Sequence, residues 1–179
     1  KTKDMDIPDD IRDKFWTVTA YYNSLKDLGK ASTMVDDDVK DFMKRMCFRL
    51  KSSSDVRNIG TTDELTSRLT TTELNKTLDK LEKIEYSAEN IKNRVLPANI
   101  VLATNMISVG IDVARLNVML LVGQPKLKSE YIQASSRVGR EYPGMAFVMY
   151  DGGKSRDRSH YEQFRPYHES FYKYVEPTG

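Results

Sequence analysis

One short segment of the sequence has residue types and spacing that could bind an anionic group. It is QASSRVGR, residues 133–140, in which Arg137 and Arg140 stand three positions apart. If the segment is helical, both arginines lie one turn apart and can point the same way. Their planar guanidinium groups suit bidentate contacts with phosphate oxygens, and Gly139 would permit close approach or end the helix. A solvated helix face is the alternative interpretation.

A second segment could contact a sugar. It is ATNMISVGIDV, residues 103–113, which leaves an apolar run and contains Gly110 and Asp112. The carboxylate of Asp112 could accept a hydrogen bond from a sugar hydroxyl, and the glycine would let another molecule approach the backbone. Each segment alone is weak evidence for a site. Their order and spacing together favour a nucleotide-phosphate site.

The elements that must position these segments follow from apolar runs and helical periodicity. Nearly continuous apolar composition predicts parallel strands that are buried on both faces. The predicted strands are FWTVTAYY (15–22), NIVLAT (99–104), NVMLLVG (117–123) and MAFVMY (145–150), with a further short strand at VRNIG (56–60). The alternation of these strands with helical stretches predicts an α/β fold with a mostly parallel sheet.

Helices are predicted between the strands, and the first is expected to start at Asn23 or Ser24, which are good helix starters. Steps of three and four in 28–46 indicate a long helix or a broken pair, and Thr70 with Glu73 forms a capping box ahead of another helix. Residues 84–97 are predicted to be a connector in which Pro97 stops any helix. The face of the helix after NVMLLVG is formed by Tyr131, Ala134, Ser135 and Val138. Functional residues are expected on loops at the carboxyl ends of strands.

Other motifs in the sequence lack residues that a phosphate-binding or metal-binding site would need. DGGKS (151–155) resembles the end of a phosphate-binding loop, but Val148 stands where that loop needs its first glycine, so a turn is predicted. His160 and His168 are eight residues apart with no completing ligands, which argues against a metal site and for packing within the tail. The chain also lacks the acidic pair after a strand that holds magnesium.

Composition is that of one ordinary globular domain. The chain has 179 residues, 39% hydrophobic and 30% charged, with a net charge of +2. This charge excludes a histone-like polycation but allows a local basic surface. The single cysteine suggests a reducing, cytoplasmic setting, and no apolar run is long enough for a membrane helix.

Taken together, these motifs resemble the second RecA-like domain of superfamily 2 helicases. ATNMISVGIDV resembles motif V of that family, and QASSRVGR resembles motif VI, usually Q-x-x-G-R-x-G-R, with Ser136 in place of its first glycine. FWTVTAYYNS fits motif IV, and ELTSR (64–68) stands where the next nucleic-acid-contacting motif falls. Together with the tail SHYEQFRPYHESFYKYVE, the sequence is most similar to large bacterial helicases that include the helicase subunit of the DISARM phage-defence system.

The resemblance implies a three-layer RecA-like domain and a role for each motif residue. Arg137 and Arg140 would be arginine fingers, Gln133 would sense the γ-phosphate, and Gly110 with Asp112 would contact the ribose side of ATP. Thr104, Thr66, Ser67 and Arg68 would contact the nucleic-acid backbone. ATP and Mg²⁺ would be held mainly by an upstream RecA-like domain, because this chain has no Walker motifs.

The resemblance also implies a domain organisation and partners. Residues 1–14 are predicted to be a linker from an upstream domain, 15–152 the RecA-like domain, and 153–179 an aromatic-rich helical extension. The chain is expected to be excised from a longer protein and inactive alone. Expected partners are the upstream domain, DNA or RNA, and defence-system subunits, with no membrane. Two alternatives stay open: a non-catalytic docking module, and a self-sufficient kinase or nucleotidase that uses DGGKS.

Overall fold

The structure is a computed structural model that describes residues 7–50, 57–60, 62–104 and 113–175. Its strands are β1 (Val18–Tyr22), β2 (Asp63–Leu65), β3 (Ile100–Thr104), β4 (Val118–Val122) and β5 (Met145–Met149). They form one sheet in the order β2-β3-β1-β4-β5, and every pairing is parallel. The predicted α/β fold with a mostly parallel sheet is confirmed.

Helices lie on both faces of the sheet and complete the predicted three layers. They are α1 (Asp9–Lys14), α2 (Leu25–Met34), α3 (Lys40–Arg49), α4 (Thr71–Lys83), α5 (Ala88–Lys92), α6 (Lys128–Ser135), α7 (Ser155–Glu162) and α8 (Phe164–Glu169), with a final 3₁₀ turn, Phe171–Lys173. A π-helical turn, Val35–Val39, joins α2 to α3, so of the two predicted forms, a long helix or a broken pair, the structure has the continuous one. In the described ranges, no helix combines the length and apolar character that crossing a bilayer requires.

The sheet divides the buried side chains into two clusters. Tyr21 and Leu121 belong to the larger cluster, which packs against α4, α6 and the tail through Leu81, Tyr131 and Phe171. On the other face, Ala20 and Leu102 pack against Leu28 and Ala31 of α2. Burial of these apolar side chains on both faces is the main force that holds the helices to the sheet.

Two predicted helix starts are confirmed in atomic detail. The Ser24 hydroxyl accepts a hydrogen bond from the Asp27 N–H at 3.1 Å and caps α2. Before α4, the Thr70 hydroxyl accepts from the Glu73 N–H, and the Glu73 carboxylate accepts from the Thr70 N–H at 2.8 Å. These reciprocal bonds satisfy donors that a helix end leaves unpaired.

The predicted strand at VRNIG is wrong for its described part, because residues 57–60 form no strand. The strand that pairs with β3 is β2, a few residues later. The side chain of Arg57 instead donates to Asn99 Oδ1 at 2.7 Å and stacks over Trp16, with its guanidinium carbon 3.7 Å from the ring centroid. These contacts hold residue 57 beside the amino ends of β1 and β3, outside the sheet.

The connector predicted at 84–97 contains a helix, α5. Ser87 caps it by accepting a hydrogen bond from the Asn90 N–H at 3.0 Å, and Arg94 ends it with a positive φ of 61°. The prediction was wrong because a proline disfavours helix only in the few residues just before it. Helix α5 ends at Lys92, five residues before Pro97, and the Ser87 cap provides its start.

The prediction that MAFVMY is buried is wrong, although the strand itself is present. β5 is an edge strand, and Met145, Phe147 and Met149 are 49%, 51% and 54% exposed. The register places these three side chains on the face shared with Val118, Leu120 and Val122 of β4. On this same face, helix α2 packs over β1 and β3. It therefore does not cover β5, which lies at the edge of the sheet beyond β4.

The tail, predicted to be helical, contains two helices with a break just before Pro166. Helix α7 ends at Glu162 and α8 begins at Phe164, with Pro166 in its first turn. A proline ring clashes with the carbonyl four residues earlier, which here is that of Glu162, the last residue of α7.

Candidate functional site

The predicted arginines lie after a helix, which corrects the expectation that they are one helical turn apart. Helix α6 ends at Ser135, and residues 136–144 form a loop that leads to β5. Gly139 has a φ of 76°, in the left-handed region that favours glycine, so a continuous helix through Arg140 is impossible. Arg137 is half-buried and Arg140 is exposed in this loop.

The arginine loop, residues 136–144, is held against the sheet by a buried asparagine. Asn117 immediately precedes β4 and is fully buried, and its Oδ1 accepts a hydrogen bond from the Gly139 N–H at 3.2 Å. The Asn117 carbonyl accepts from the Met145 N–H at 2.7 Å. A Cβ atom at Gly144 would lie 2.6 Å from the Gly139 nitrogen, so only glycine fits there. The loop is therefore pinned at both ends of its turn.

The backbone at Ser136 shows why serine can replace the glycine that is usual at this position of the family pattern. Its backbone is right-handed helical, with φ −70° and ψ −5°, a conformation that any residue adopts. Its side chain is exposed, and the hydroxyl donates to the Gln133 carbonyl at 3.2 Å. The usual glycine is therefore not required at this position.

The arginine loop lies at the amino end of the sheet. Helix α6 begins beyond the carboxyl end of β4 and runs back, so Gly139 meets Asn117 at the start of that strand. This corrects the expectation that all functional residues gather at the carboxyl ends. A five-residue strand spans about 13 Å between its ends. The two candidate arginines and Thr104, the last residue of β3, therefore lie at opposite ends of the sheet.

Two predicted nucleotide contacts, Gly110 and Asp112, lie outside the described residues. The next residue, Val113, is buried, and it lines a cavity of about 450 Å³ together with Glu141 and Tyr142. Glu141 directly follows Arg140. The last residue of the GIDV segment and the chain after the arginines thus meet at one cavity.

Gln133 is the third predicted nucleotide contact in α6. It is half-buried, and its Oε1 atom finds no hydrogen-bond partner among the described residues. A buried carbonyl oxygen without a partner costs stability, so it is a feature that a bound group could satisfy.

The predicted nucleic-acid contacts lie at the carboxyl end of the sheet. Leu65 pairs with Ala103, so Thr66 stands beside Thr104 just beyond the ends of β2 and β3. Both threonines are buried, and the Thr66 hydroxyl has no partner among the described residues. Ser67 and Arg68 are exposed. These two residues present the accessible polar groups of the segment.

Arg68 is paired with an acidic residue of β2. Its Nε donates to Glu64 Oε2 at 2.9 Å, and its Nη2 donates to Glu64 Oε1, which makes a bidentate ion pair. This hydrogen bond raises the pKa of the Arg68 guanidinium. The two N–H groups of Arg68 that could bind a phosphate in parallel are therefore already bonded to a carboxylate.

Sequence reasoning missed a buried polar cluster at the carboxyl ends of β1 and β4. The Asp157 carboxylate accepts from the Gln124 N–H at 3.1 Å and from the Asp151 N–H at 2.9 Å. Asn23 Nδ2 donates to the Gln124 carbonyl at 3.1 Å. Asn23 and Gln124 could have been noticed as polar residues that follow apolar strands, but no local signal marks Asp157.

The same cluster includes the first residue of the DGGKS segment, Asp151. Gly152 and Gly153 form the predicted turn, in which the Gly153 N–H donates to Asp151 Oδ1 at 2.9 Å. Asp157, in the first turn of α7, directs its carboxylate at the backbone N–H groups of Asp151 and Gln124. A carboxylate already fills the position that an incoming anion would need.

The tail histidines pack against aromatic rings, as predicted. His168 Nδ1 donates to the Phe164 carbonyl at 2.7 Å, which leaves Nε2 of the neutral ring to accept from the Tyr131 hydroxyl at 3.1 Å. Burial lowers the pKa of His160, whose ring meets Tyr167 edge to face. Across the described ranges, no group of three or more His, Cys, Asp or Glu side chains is arranged to hold a metal ion.

Comparison with known sequences assigns the domain to a class. The family model for the helicase conserved C-terminal domain matches residues 49–141, more than half of the chain. The chain belongs to this family. The match includes the ELTSR and GIDV segments and ends just after the arginines.

A similar curated protein is the DISARM protein DrmA of Bacillus paralicheniformis. The two sequences are 44% identical over 166 residues, which cover 93% of this chain and 14% of that protein. The chain therefore spans only a small part of the length of this relative. The resemblance to DISARM-type helicases is confirmed.

Two solved structures are similar at lower levels. The Mycobacterium smegmatis helicase Lhr, bound to single-stranded DNA and AMP-PNP, has a TM-score of 0.44 and 10% identity over 74% of this chain and 14% of that one. The Escherichia coli DEAD-box protein SrmB, bound to regulator of ribonuclease activity A, has a TM-score of 0.42 and 12% identity over 82% of this chain and 84% of that one.

Proposed function

We propose that this helicase C-terminal domain is the second RecA-like domain of an ATP-dependent nucleic-acid helicase or translocase. Arg137 and Arg140 act as arginine fingers on ATP and Mg²⁺ held mainly by a preceding RecA-like domain. The observation that carries the proposal is the arginine loop, which Asn117 holds against the sheet through its hydrogen bond with the Gly139 N–H.

The chemistry of phosphoryl transfer explains why a pinned loop matters. The transferred phosphoryl group carries negative charge in the transition state, and guanidinium groups fixed in advance stabilise that charge without reorganisation. In related nucleotidases, an arginine finger increases the rate by roughly 10³–10⁵-fold. Gln133 contributes a group near the γ-phosphate, and Gly110 with Asp112 contacts the ribose side.

The nucleic-acid backbone binds at the opposite end of the sheet in this proposal. Ser67 and Arg68 supply exposed contacts, and Thr66 and Thr104 lie just beneath them. Contacts to phosphates are largely independent of sequence and weaken with salt. The track is DNA, with RNA as the alternative that the same contacts allow.

The chain depends on another domain for nucleotide binding and is inactive alone. Its DGGKS segment is a tight turn, and the Asp157 carboxylate occupies the adjacent backbone donors. This geometry argues against a self-sufficient kinase or nucleotidase. The similarity to a DISARM protein supports a place in a phage-defence helicase of the cytoplasm, with the other subunits of that system as partners.

Calorimetric titration of the 179-residue chain with Mg-ATP tests this dependence. We expect very weak binding and no turnover, because the groups that would hold the triphosphate belong to the preceding domain. Tight binding or hydrolysis by the isolated chain would overturn the proposal and favour the self-sufficient enzyme.

A further inference from the structure

The exposed cation of the ELTSR segment is paired with a residue of the same segment. Glu64 binds both Nε and Nη2 of Arg68, and the Arg68 side chain is 46% exposed while that of Glu64 is 18% exposed. Glu64 lies in β2, where it pairs with Leu102 of β3, whereas Arg68 lies in the turn that follows. The carboxylate therefore belongs to a strand that is paired in the sheet, and the guanidinium belongs to the more exposed turn that follows it.

Neighbouring carboxylates have other partners. Asp63 binds Lys80 Nζ at 2.7 Å, and Glu73 is engaged by the Thr70 cap of α4. Asp63 and Glu73 line the same surface cavity as Glu64 and Arg68. This cavity has a volume of about 360 Å³, and its other lining residues are Thr62, Leu69 and Thr77. Glu64 is thus the acidic group of this cavity that is paired with Arg68.

We infer that Glu64 is a built-in competitor of the nucleic-acid phosphate for Arg68. The inference rests on the proposed function, because it assumes that Arg68 contacts the backbone. In the unbound protein Glu64 holds the guanidinium; when a phosphate arrives, Arg68 exchanges one oxyanion for the other. Glu64 thereby weakens the grip and makes release from the track easier.

The exchange is physically easy in both directions. Carboxylate and phosphate both accept the parallel N–H bonds of a guanidinium, so the geometry at Arg68 is preserved. Exposed ion pairs contribute little net stability, so a phosphate can displace Glu64. Because β2 holds Glu64 in the sheet, its negative charge stays near the phosphate after exchange and continues to repel it.

The exchange also changes the number of counterions that binding releases. A phosphate neutralised by an unpaired arginine releases counterions and contributes a slope of about −0.7 in a plot of log K against log salt for single strands. When Arg68 leaves Glu64 for a phosphate, the uncovered carboxylate attracts cations and offsets part of this release. Removing the charge of Glu64 therefore steepens the salt dependence.

The test is Glu64→Gln in the protein that carries both RecA-like domains. Fluorescence anisotropy with labelled single-stranded oligothymidylate measures binding at several salt concentrations. We expect the Kd at low salt to fall about two- to fivefold, and the salt slope to steepen by less than about 0.7. If Glu64→Gln does not fold, Glu64→Thr removes the same charge and suits a strand.

Asp79→Asn is the matched control. Asp79 and Lys83 also form an i,i+4 ion pair at an N–O distance of 2.6 Å, on the exposed side of α4, so this change alters the net charge equally. We expect less than a twofold change in Kd and the original salt slope. An equal gain in affinity from Asp79→Asn would mean that Glu64 acts only through net charge, and would overturn the inference.

Arg68→Ala separates this inference from the proposed function. If Arg68→Ala weakens binding while Glu64→Gln changes neither Kd nor slope, the competitor role is wrong and the backbone contact stands. If Arg68→Ala has no effect, the contact itself is wrong and the competitor role fails with it. The double variant decides the mechanism: a gain from Glu64→Gln that persists without Arg68 also overturns the inference.

Discussion

At the residue scale, Asn117 is the side chain on which the geometry of the arginine loop depends. Arg137, Arg140 and Gly139 could be selected from the sequence because their types and spacing are local. Asn117 could not, because its role is a contact with Gly139, 22 positions later, that exists only after β4 and β5 pair. Spacing along a chain reveals candidate groups, but the groups that hold them in place depend on tertiary contacts.

Asn117→Ala is expected to reduce ATP hydrolysis by the protein that carries both RecA-like domains. Without its Oδ1 acceptor, the loop shifts, and a displacement of about 1 Å in a catalytic group costs on the order of 100-fold in rate. Steady-state ATPase assays should show a lower kcat with a smaller change in KM.

Two further variants separate positioning from general destabilisation. Asn117→Ser keeps a shorter, neutral acceptor near the Gly139 N–H and should retain more activity than Asn117→Ala, while Asn75→Ala, at an exposed site on α4, should have none of this effect. A folded Asn117→Ala protein with the original kcat would show that the loop does not need this anchor.

At the element scale, a buried ion pair ties α1 to the sheet. Asp13 and Arg115 form this pair with side chains only 8% and 10% exposed. Arg115 also donates to the Leu81 carbonyl at 2.7 Å and to the Ile84 carbonyl at 2.8 Å, so it closes the end of α4. Residues 9–14 of the predicted linker thus form a docked helix, while the domain limits at 14 and 152 stay predictions.

Arg115→Ala should destabilise the domain by about 3 kcal/mol, because it leaves the Asp13 carboxylate buried without its charge partner. Urea denaturation of the variant and the parent measures the difference in the free energy of unfolding. Lys44→Ala, which breaks the exposed Lys44–Asp41 pair, should change stability by less than about 1 kcal/mol. Equal effects of both changes would contradict the structural role given to the buried pair.

The elements themselves were predictable to different degrees, for physical reasons. The starts of α2 and α4 were predicted because capping is a local interaction of residues three positions apart. The burial of β5 was not, because its apolar composition is typical of a central strand and its edge position depends on the order of strands. The position of β2 was missed because three residues are too few for an alternating pattern.

At the scale of the whole molecule, the sheet separates two groups of candidate residues. The arginine loop lies at the amino end, and the Thr66–Arg68 and Thr104 segment lies at the carboxyl end of the same parallel strands. In the proposed mechanism, closure on ATP at one end and the grip on nucleic acid at the other are connected through one rigid sheet. Sequence motifs predicted both groups of residues, but only the return path of α6 shows that they lie at opposite ends.

The central claim is that Arg137 and Arg140 stabilise the transition state of ATP hydrolysis. The most direct test is the ATPase rate of Arg137→Ala and Arg140→Ala in the protein that carries both RecA-like domains, with Arg158→Ala as the control at an exposed site of α7. We expect each finger variant to lose on the order of 10³-fold in kcat, with the control unchanged. Normal hydrolysis by both finger variants would contradict the claim and favour a docking module whose arginines only bind phosphate.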